Sequence, residues 1–178
     1  MALQLDLDTT LAGTGYTATF TDAGAIAIAS SSSISGGNVR QIVITLTNAV
    51  DGAAETLSVA GTLPTGITQT YNAATHQLVL SGASNLSDAA FNTALQQVRY
   101  NDTSTNPTAG NRIISVQAIN ISTSNGGGGG LASNVAYTTI DVTGNPVTAS
   151  SFAVSTDEDS SISGDLTTHV HDINPGAS

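Results

Sequence analysis

Carboxylates are the side chains in this sequence whose number and spacing could support chemistry. Thirteen Asp and Glu residues face only three cations, Arg40, Arg99 and Arg112, and the formal net charge is −10. Such an excess of negative charge repels phosphate, which argues against a nucleic-acid partner. Carboxylates without lysine neighbours instead suit hard cations such as Ca²⁺, which takes about six to eight oxygen ligands.

The positions of particular acids predict where Ca²⁺ would bind. Asp6 and Asp8 are two apart in a strand-like segment, so both side chains are expected on one face. Asp51 and other acids stand near strand ends or turns, where sandwich modules gather ions. The alternative is a solvated acidic surface. The predicted Ca²⁺ ligands are Asp6, Asp8, Glu55, Asp102 and Asp141 in the body of the chain, together with Asp157 and Asp159 near its C-terminus.

Catalytic motifs find little support in the sequence. The chain has no Cys, which excludes a thiol nucleophile and a thiolate zinc site. No G-x-S-x-G segment is present, although serine is abundant. His169 and His171 could share one strand face as zinc ligands, but no further ligand is visible. We therefore expect a protein that is not an enzyme.

Arg112 and Tyr100 are better explained by packing than by catalysis. Arg112 opens a predicted strand, and its planar guanidinium can bind a carboxylate such as Asp102 or Asp22. Tyr100 is expected to pack its ring in the core and to direct its hydroxyl to the backbone.

Alternating apolar residues predict that strands dominate the elements around these side chains. Leu3, Leu5 and Leu7 alternate with polar residues, and residues 41–47 read QIVITLT with one apolar face. Aromatic residues are few and Trp is absent, so Val, Ile, Leu and Ala must form the core. The predicted strands are 3–8, 16–20, 25–29, 41–47, 57–59, 67–71, 77–80, 113–119 and 135–142.

One short helix is predicted over residues 87–97. Ser87 is a suitable N-cap, and Asp88 lies in the first turn, where the helix dipole favours an anion. Apolar residues then recur at helical spacing, and they are Ala90, Phe91, Ala94, Leu95 and Val98. We expect this helix to bridge two sheets.

Asn145-Pro146 marks a domain boundary, because this dipeptide favours a turn. Residues 1–144 are predicted to form one domain, and residues 145–178 a linker with the first strands of a following repeat. The second segment is too short to bury a core alone. Its apolar residues could dock as a donor strand on the same chain or on a neighbouring copy, which would build a filament. The predicted docking residues are Phe152, Val154, Ile162 and Leu166.

The body of the chain resembles a cadherin-like β-sandwich repeat of giant bacterial RTX-type surface adhesins. The residues that carry the resemblance are LDLD (5–8), GTGYTATFTD (13–22), ITLTNAVDGAAETLSV (44–59), GTLPTGI (61–67), ALQQVRYND (94–102), NPTAGNRIISV (106–116) and SNVAYTTIDV (133–142). Residues 145–178 resemble the start of a following cadherin-like repeat. The chain departs from the family at residues 30–37, where SSSSISGG holds no carboxylate.

This resemblance implies an all-β fold, an Ig/cadherin-like antiparallel β-sandwich with one short bridging helix. It also implies an extracellular, non-catalytic spacer on a bacterial cell surface, stiffened by Ca²⁺. The implied partners are neighbouring repeats or copies of the same chain, without nucleic acid and without membrane insertion. Two alternatives remain, a self-assembling filament subunit that uses residues 147–178 and a glycan- or ligand-binding adhesion module.

Overall fold

The computed structural model describes residues 2–21, 23–37, 39–82, 86–120 and 131–144, together with the backbone of residues 147–149 and 170–172. The elements are numbered here in chain order. Strands dominate this part of the chain, and one α-helix of nine residues interrupts them.

The larger sheet is built around two long central strands. In spatial order its strands are β2 (Tyr16–Phe20), β12 (Ala136–Val142), β10 (Gly110–Asn120), β5 (Gln41–Leu46), β8 (Gln77–Gly82) and β7 (Ile67–Asn72), and β11 (Leu131–Ala132) also pairs with β10. Along β5, Ile42, Ile44 and Leu46 are buried and alternate with half-buried residues, as the sequence pattern predicts.

The smaller sheet has three strands and covers one face of the larger sheet. It consists of β3 (Ile26–Ala27), β9 (Val98–Asp102) and β6 (Glu55–Val59). Phe20 of β2 contacts Tyr100 of β9 edge to face, with ring centroids 5.5 Å apart. Thr138 of β12 donates its hydroxyl hydrogen to the Ile28 carbonyl, next to β3. The predicted all-β sandwich is therefore confirmed.

Two short ladders complete the strands. One joins β1 (Gln4–Asp6) to β4 (Ser33–Ser35), and Leu5 and Ile34 are buried partners in it. The other joins β13 (Val147–Ala149) to β14 (Val170–Asp172) in antiparallel register. These last two strands pair with each other within the described backbone.

Helix α1 spans Asp88–Gln96 and confirms the predicted helix. The Ser87 hydroxyl accepts a hydrogen bond from the Ala90 N–H at 3.3 Å, so Ser87 is the N-cap. The helix follows β8 of the larger sheet and leads into β9 of the smaller one, so it bridges the two sheets. Phe91 packs closely over Gly82, where an added Cβ would lie 2.5 Å from the Phe91 ring.

One pairing departs from the expected antiparallel arrangement. Strands β2 and β12 run parallel, with five residue pairs from Tyr16–Thr138 to Phe20–Val142. The other strand pairs among the described residues are antiparallel. Strand β2, the shorter strand of this pair, lies at an edge of the larger sheet.

The two ends of the sandwich can be named after the residues that lie at the start and at the end of β12. At its start, Asn134 donates to the Leu5 carbonyl at 2.8 Å and accepts from the Leu5 N–H at 2.9 Å. Gly144 follows its other end and lies against residues 107–109. We call these the Leu5 end and the Gly144 end. Seven residues of β12 separate them by about 20 Å.

Among the described residues, no helix combines the length and the apolar character needed to cross a membrane.

Candidate functional site

A group of charged residues is buried between the two sheets at the Gly144 end. Glu55 opens β6 and faces Asp102, its register partner at the end of β9. Asp51 lies in the turn before β6, and one oxygen from each of these three carboxylates lies within 4.8 Å of the others. Tyr100 of β9 contacts Glu55 from within the smaller sheet, and Arg112 of β10 contacts it from the larger sheet. We call Asp51, Glu55, Tyr100, Asp102 and Arg112 the charged cluster.

Strand alternation places these charged residues inside the sandwich. Arg112 takes the first buried position of β10, ahead of Ile114 and Val116 on the same face. Asp102 continues the buried face of Val98 and Tyr100 in β9. The charged residues therefore occupy positions where the strand pattern otherwise places apolar side chains.

Glu55 is the centre of the charged cluster and is fully buried. Its Oε1 accepts hydrogen bonds from the Tyr100 hydroxyl at 2.6 Å and from Arg112 Nε at 2.5 Å. Its Oε2 accepts from the Asp51 backbone N–H at 2.7 Å. Both oxygens of this buried carboxylate are therefore satisfied, as a buried charge requires.

Arg112 joins Glu55 to Asp51. Its Nη2 lies 2.8 Å from Asp51 Oδ2 and also donates to the Thr108 carbonyl, while Nη1 donates to the Gly110 carbonyl. The prediction that Arg112 binds a carboxylate is thus confirmed, but Asp102 is not the partner, because the guanidinium pairs with Glu55 and Asp51. The alternative partner, Asp22, lies outside the described residues. Burial alone lowers the pKa of Arg112, but the hydrogen bond and charge of Glu55, together with the charges of Tyr100 and Asp51, outweigh burial and raise it.

Asp51 is held by the segment that precedes β10. Its two carboxylate oxygens accept hydrogen bonds from the Thr108 hydroxyl at 2.5 Å and from the Thr108 N–H at 2.9 Å. Burial raises the pKa of Asp51, but the hydrogen bonds from Thr108 and the charge of Arg112 together bring it below its ordinary value. Asp51 is therefore an ionised member of the cluster at neutral pH.

Asp102 differs from its two neighbours because one of its oxygens has no partner. Its Oδ1 accepts from the Ser104 N–H at 2.8 Å, whereas the buried Oδ2 makes no hydrogen bond. Only 2% of the residue is exposed. Burial, followed by the Asp51 carboxylate, whose charge opposes ionisation and which would accept a hydrogen bond from protonated Asp102, raises the pKa of Asp102 to about 6.

Tyr100 supplies the neutral hydroxyl of the cluster. The prediction that its hydroxyl points to the backbone is wrong, since its partner is Glu55. Burial raises the pKa of Tyr100 far above the usual range for tyrosine, and the Glu55 carboxylate raises it further. Tyr100 therefore stays protonated and acts as a hydrogen-bond donor.

The arrangement can bind a proton or a small cation, because its three carboxylates outnumber its one guanidinium. No family model, curated protein or solved structure matches the chain. A functional assignment therefore depends on the geometry of the described residues.

The structure brings together only part of the predicted Ca²⁺ set. Glu55 and Asp102 lie in the charged cluster, and Asp51 joins them. Asp6 ends β1 and accepts the Asp8 N–H at 2.9 Å, while Asp8 lies beyond the strand and accepts from the N–H and hydroxyl of Thr10. Asp141 is exposed on β12.

The remaining predicted residues lie outside the described part of the chain. Asp157 and Asp159 of the predicted metal set are among them. So are the predicted docking residues Phe152, Val154, Ile162 and Leu166.

The sequence contains a further signal for the charged cluster, namely charged residues that continue the apolar face of a strand. The alternation Val98, Tyr100, Asp102 continues a buried face into a carboxylate, and Arg112 stands two residues before Ile114 in the same way. A buried acid and a buried base at the ends of two apolar faces indicate a buried polar cluster, although Arg112 pairs with Glu55 and Asp51 and not with Asp102. The contact of Arg112 with Asp51 depends on a turn and carries no comparable signal.

Proposed function

We propose that residues 1–144 form a non-catalytic spacer that bears tension within a repeat-built protein of the bacterial cell surface. The observation that carries the proposal is the parallel pairing of β2 with β12 between the Leu5 end and the Gly144 end. The resemblance of the sequence to adhesin repeats supports the extracellular location and the tandem arrangement.

The parallel pair is suited to tension along the chain. The chain is anchored near Leu5 at one end and leaves β12 toward Gly144 at the other. A force that pulls these ends apart draws β2 and β12 in opposite directions along their own axes. The hydrogen bonds over five residue pairs then share the load, whereas a hairpin pulled from its open end breaks them one at a time.

The charged cluster also fits a structural role. Glu55 and Arg112 are fully buried, and they link β6 of the smaller sheet to β10 of the larger one. A catalytic acid or base must reach a substrate, but both of these groups are fully buried and their hydrogen bonds go to other residues of the chain. Within the described residues, no other set of three His, Cys, Asp or Glu side chains lies close enough to share an ion.

Single-molecule force spectroscopy tests the load-bearing role. Tandem copies linked through residues 1 and 144 would be stretched, and the unfolding force of each copy measured. The Thr143 N–H donates to the Phe20 carbonyl of β2. In a parallel ladder, every second residue of a strand directs both its N–H and its C=O to the same partner strand, so the Ala18 N–H also points toward β12. An Ala18→Pro substitution removes that N–H from the ladder and is expected to lower the unfolding force.

The matched control is Thr19→Pro, because β2 is an edge strand and the neighbouring N–H points away from β12. This variant is expected to unfold at a force close to that of the unmodified chain. Equal forces for the unmodified chain and for Ala18→Pro would contradict a load-bearing role for the parallel pair.

A shallow surface groove beside β2 favours ligand binding as a second candidate function. The groove encloses about 290 Å³ and includes Leu11, Tyr16 and Tyr137 in its lining. Tyr137 is 52% exposed and Leu11 is 59% exposed. An exposed tyrosine ring with threonine hydroxyls beside it can stack on a sugar ring. Saturable glycan binding that disappears in a Tyr137→Ala variant would support this function, and a glycan array without any specific signal would remove it.

A further inference from the structure

Strand β7 is an edge of the larger sheet and carries none of the usual protections of an exposed edge. It has six residues, its pairing with β8 runs without interruption, and it contains neither proline nor a charged side chain. Thr68, Gln69 and Thr70 are exposed. Proteins commonly block such edges with charges, prolines or bulges, because an open edge recruits another strand.

The hydrogen-bond pattern identifies the backbone groups of β7 that face outward. The Gly82 N–H donates to the Arg40 carbonyl next to β5, so the even-numbered residues of β8 bond to β5 and the odd-numbered ones to β7. The register then turns Thr70 and its alternate neighbours toward β8. The N–H and C=O groups of Gln69 and Tyr71 therefore point away from the sheet, and no hydrogen bond from the described residues reaches them.

The neighbouring edge of the smaller sheet, at β6, is closed by side chains. The Glu55 carbonyl lies 3.2 Å from His76 Nδ1, and the Leu57 backbone hydrogen-bonds to the Tyr71 side chain. Strand β9 pairs with the other side of β6. On this side of the sandwich, β7 is therefore the edge that is open to a further strand.

The surroundings of β7 lack the charge that would keep two copies of the chain apart. The formal net charge is −10, yet residues 56–87 contain no Asp, Glu, Lys or Arg, and they include the whole of β7 and β8. At the opposite edge of the larger sheet, the exposed Asp141 lies beside Thr19 of β2. Two copies that meet through β7 therefore avoid the repulsion that acidic surfaces would impose.

We propose that the β7 edge pairs with the β7 edge of a second copy, in antiparallel orientation about a two-fold axis at Thr70. Gln69 and Tyr71 of each copy then exchange backbone hydrogen bonds with Tyr71 and Gln69 of the other. A register centred on Gln69 is less favourable. It would place Ile67 opposite Tyr71, and the Ile67 N–H is already bonded to the Pro64 carbonyl. This contact joins copies side by side and is independent of the spacer function.

The association is expected to be weak. Two paired edges of six residues bury less surface than the roughly 1,200 Å² of a stable interface. Copies that are held close together would pair more readily, because tethering raises their effective concentration.

Disulfide cross-linking of the full chain tests the proposed register. The chain has no Cys, so one introduced thiol reports on one contact. In the proposed dimer Thr70 faces its own counterpart in a non-hydrogen-bonded pair, with Cα atoms about 4.5 Å apart, which suits a disulfide. Under mild oxidation Thr70→Cys should form a linked dimer at least tenfold faster than Thr17→Cys, at an exposed threonine of the edge strand β2. Equal rates would overturn the proposal.

Sedimentation equilibrium measures the dimer without a cross-link. Gln69→Pro removes an N–H that points away from β8 and keeps the ladder between β7 and β8, so the dimer dissociation constant should rise at least tenfold. Thr19→Pro makes the corresponding change in β2 and should leave this constant unchanged. Circular dichroism would verify that each variant is folded. A dimer that persists in Gln69→Pro would place the contact elsewhere, for example at residues 147–178, and would overturn the proposal. So would a chain that stays monomeric at millimolar concentration.

Discussion

Tyr100 and Glu55 form a hydrogen bond of 2.6 Å in a place where both side chains are fully buried. The same carboxylate oxygen accepts from Arg112 Nε, so donors from β9 and β10 converge on one residue of β6. This convergence ties the smaller sheet to the larger one by polar contacts in addition to apolar packing. The contribution of each donor to the free energy of unfolding can be measured by replacing one residue at a time.

Replacing Tyr100 by Phe should reduce the free energy of unfolding by about 1–2 kcal/mol. The variant keeps the ring contact with Phe20 but leaves Glu55 Oε1 with one donor in place of two. Urea denaturation would measure the loss. Tyr137→Phe is the control, because that side chain is 52% exposed and its change should stay within about 0.5 kcal/mol. Equal losses in the two variants would show that the buried hydroxyl contributes nothing specific.

Replacing Arg112 by Met should destabilise the fold by about 3–5 kcal/mol. The substitution fills a similar volume but leaves Glu55 and Asp51 as buried carboxylates without their cation. Thermal and guanidinium unfolding would both report the change. Arg40→Met, at a half-buried residue with no carboxylate contact among the described residues, should cost under about 1 kcal/mol. An Arg112→Met protein as stable as the unmodified chain would contradict this prediction, and it would mean that protonation of the buried carboxylates replaces the lost cation.

Stability in the presence of a chelator should fall as the pH rises from about 4 to about 7. The pKa of Asp102 is raised to about 6 in the folded chain from its ordinary value of 3.8, so the folded form holds the proton more tightly than the unfolded form. This contribution is therefore present below pH 4 and is lost as the pH passes through 6, by about 1–3 kcal/mol. Asp51 has a lowered pKa, so its contribution to stability has the opposite pH dependence. That contribution is present above pH 3.8 and is lost as the pH falls below this value.

The pH prediction is checked by melting curves of the unmodified chain and of Asp102→Asn between pH 4 and pH 8. Asn does not titrate, so the difference in stability between the two proteins isolates Asp102. The difference should favour the unmodified chain more at pH 4.5 than at pH 7.5. A difference that is independent of pH would contradict the raised pKa.

Replacing Thr138 by Val should cost about 1–3 kcal/mol although the two side chains have similar shapes. Thr138 is fully buried, and its hydroxyl donates to the Ile28 carbonyl at 2.5 Å, which links β12 to the smaller sheet. Val leaves that buried carbonyl without this donor. Thr139→Val is the matched control, since the next residue of the strand faces the opposite side. Chemical denaturation should separate the two variants clearly, and equal stabilities would contradict the prediction.

The strands that the sequence predicts well are those with a clear period of two. Ile42, Ile44 and Leu46 show it in β5, and the hairpin of β7 and β8 follows from polar residues between two extended segments. Strand β9 is not evident from the sequence because Val98 also fits the spacing of the preceding helix, and one residue, Gln97, separates the two elements. Strand β4 is not evident either, because Ile34 is its only apolar residue within a run of serines.

The candidate site was only partly predictable for a similar reason. The positions of Glu55 and Asp102 near turns predict them as ligands, and the strand register brings them opposite each other. The spacing of Asp6 and Asp8 predicts a pair on one strand face, but β1 ends at Asp6, and the Asp8 N–H folds back onto the Asp6 carboxylate in a local turn. Where a strand ends depends on its partner strand, and a single segment does not contain that information.

The parallel pairing of β2 with β12 has a consequence for how the chain folds. Residues 16–20 find their partners at 138–142, so this contact closes a loop that spans nearly the whole body. Closing such a loop costs entropy before any pairing energy is gained, and folds rich in such contacts form slowly. During synthesis the edge strand must wait unpaired until the last strand of the body has emerged.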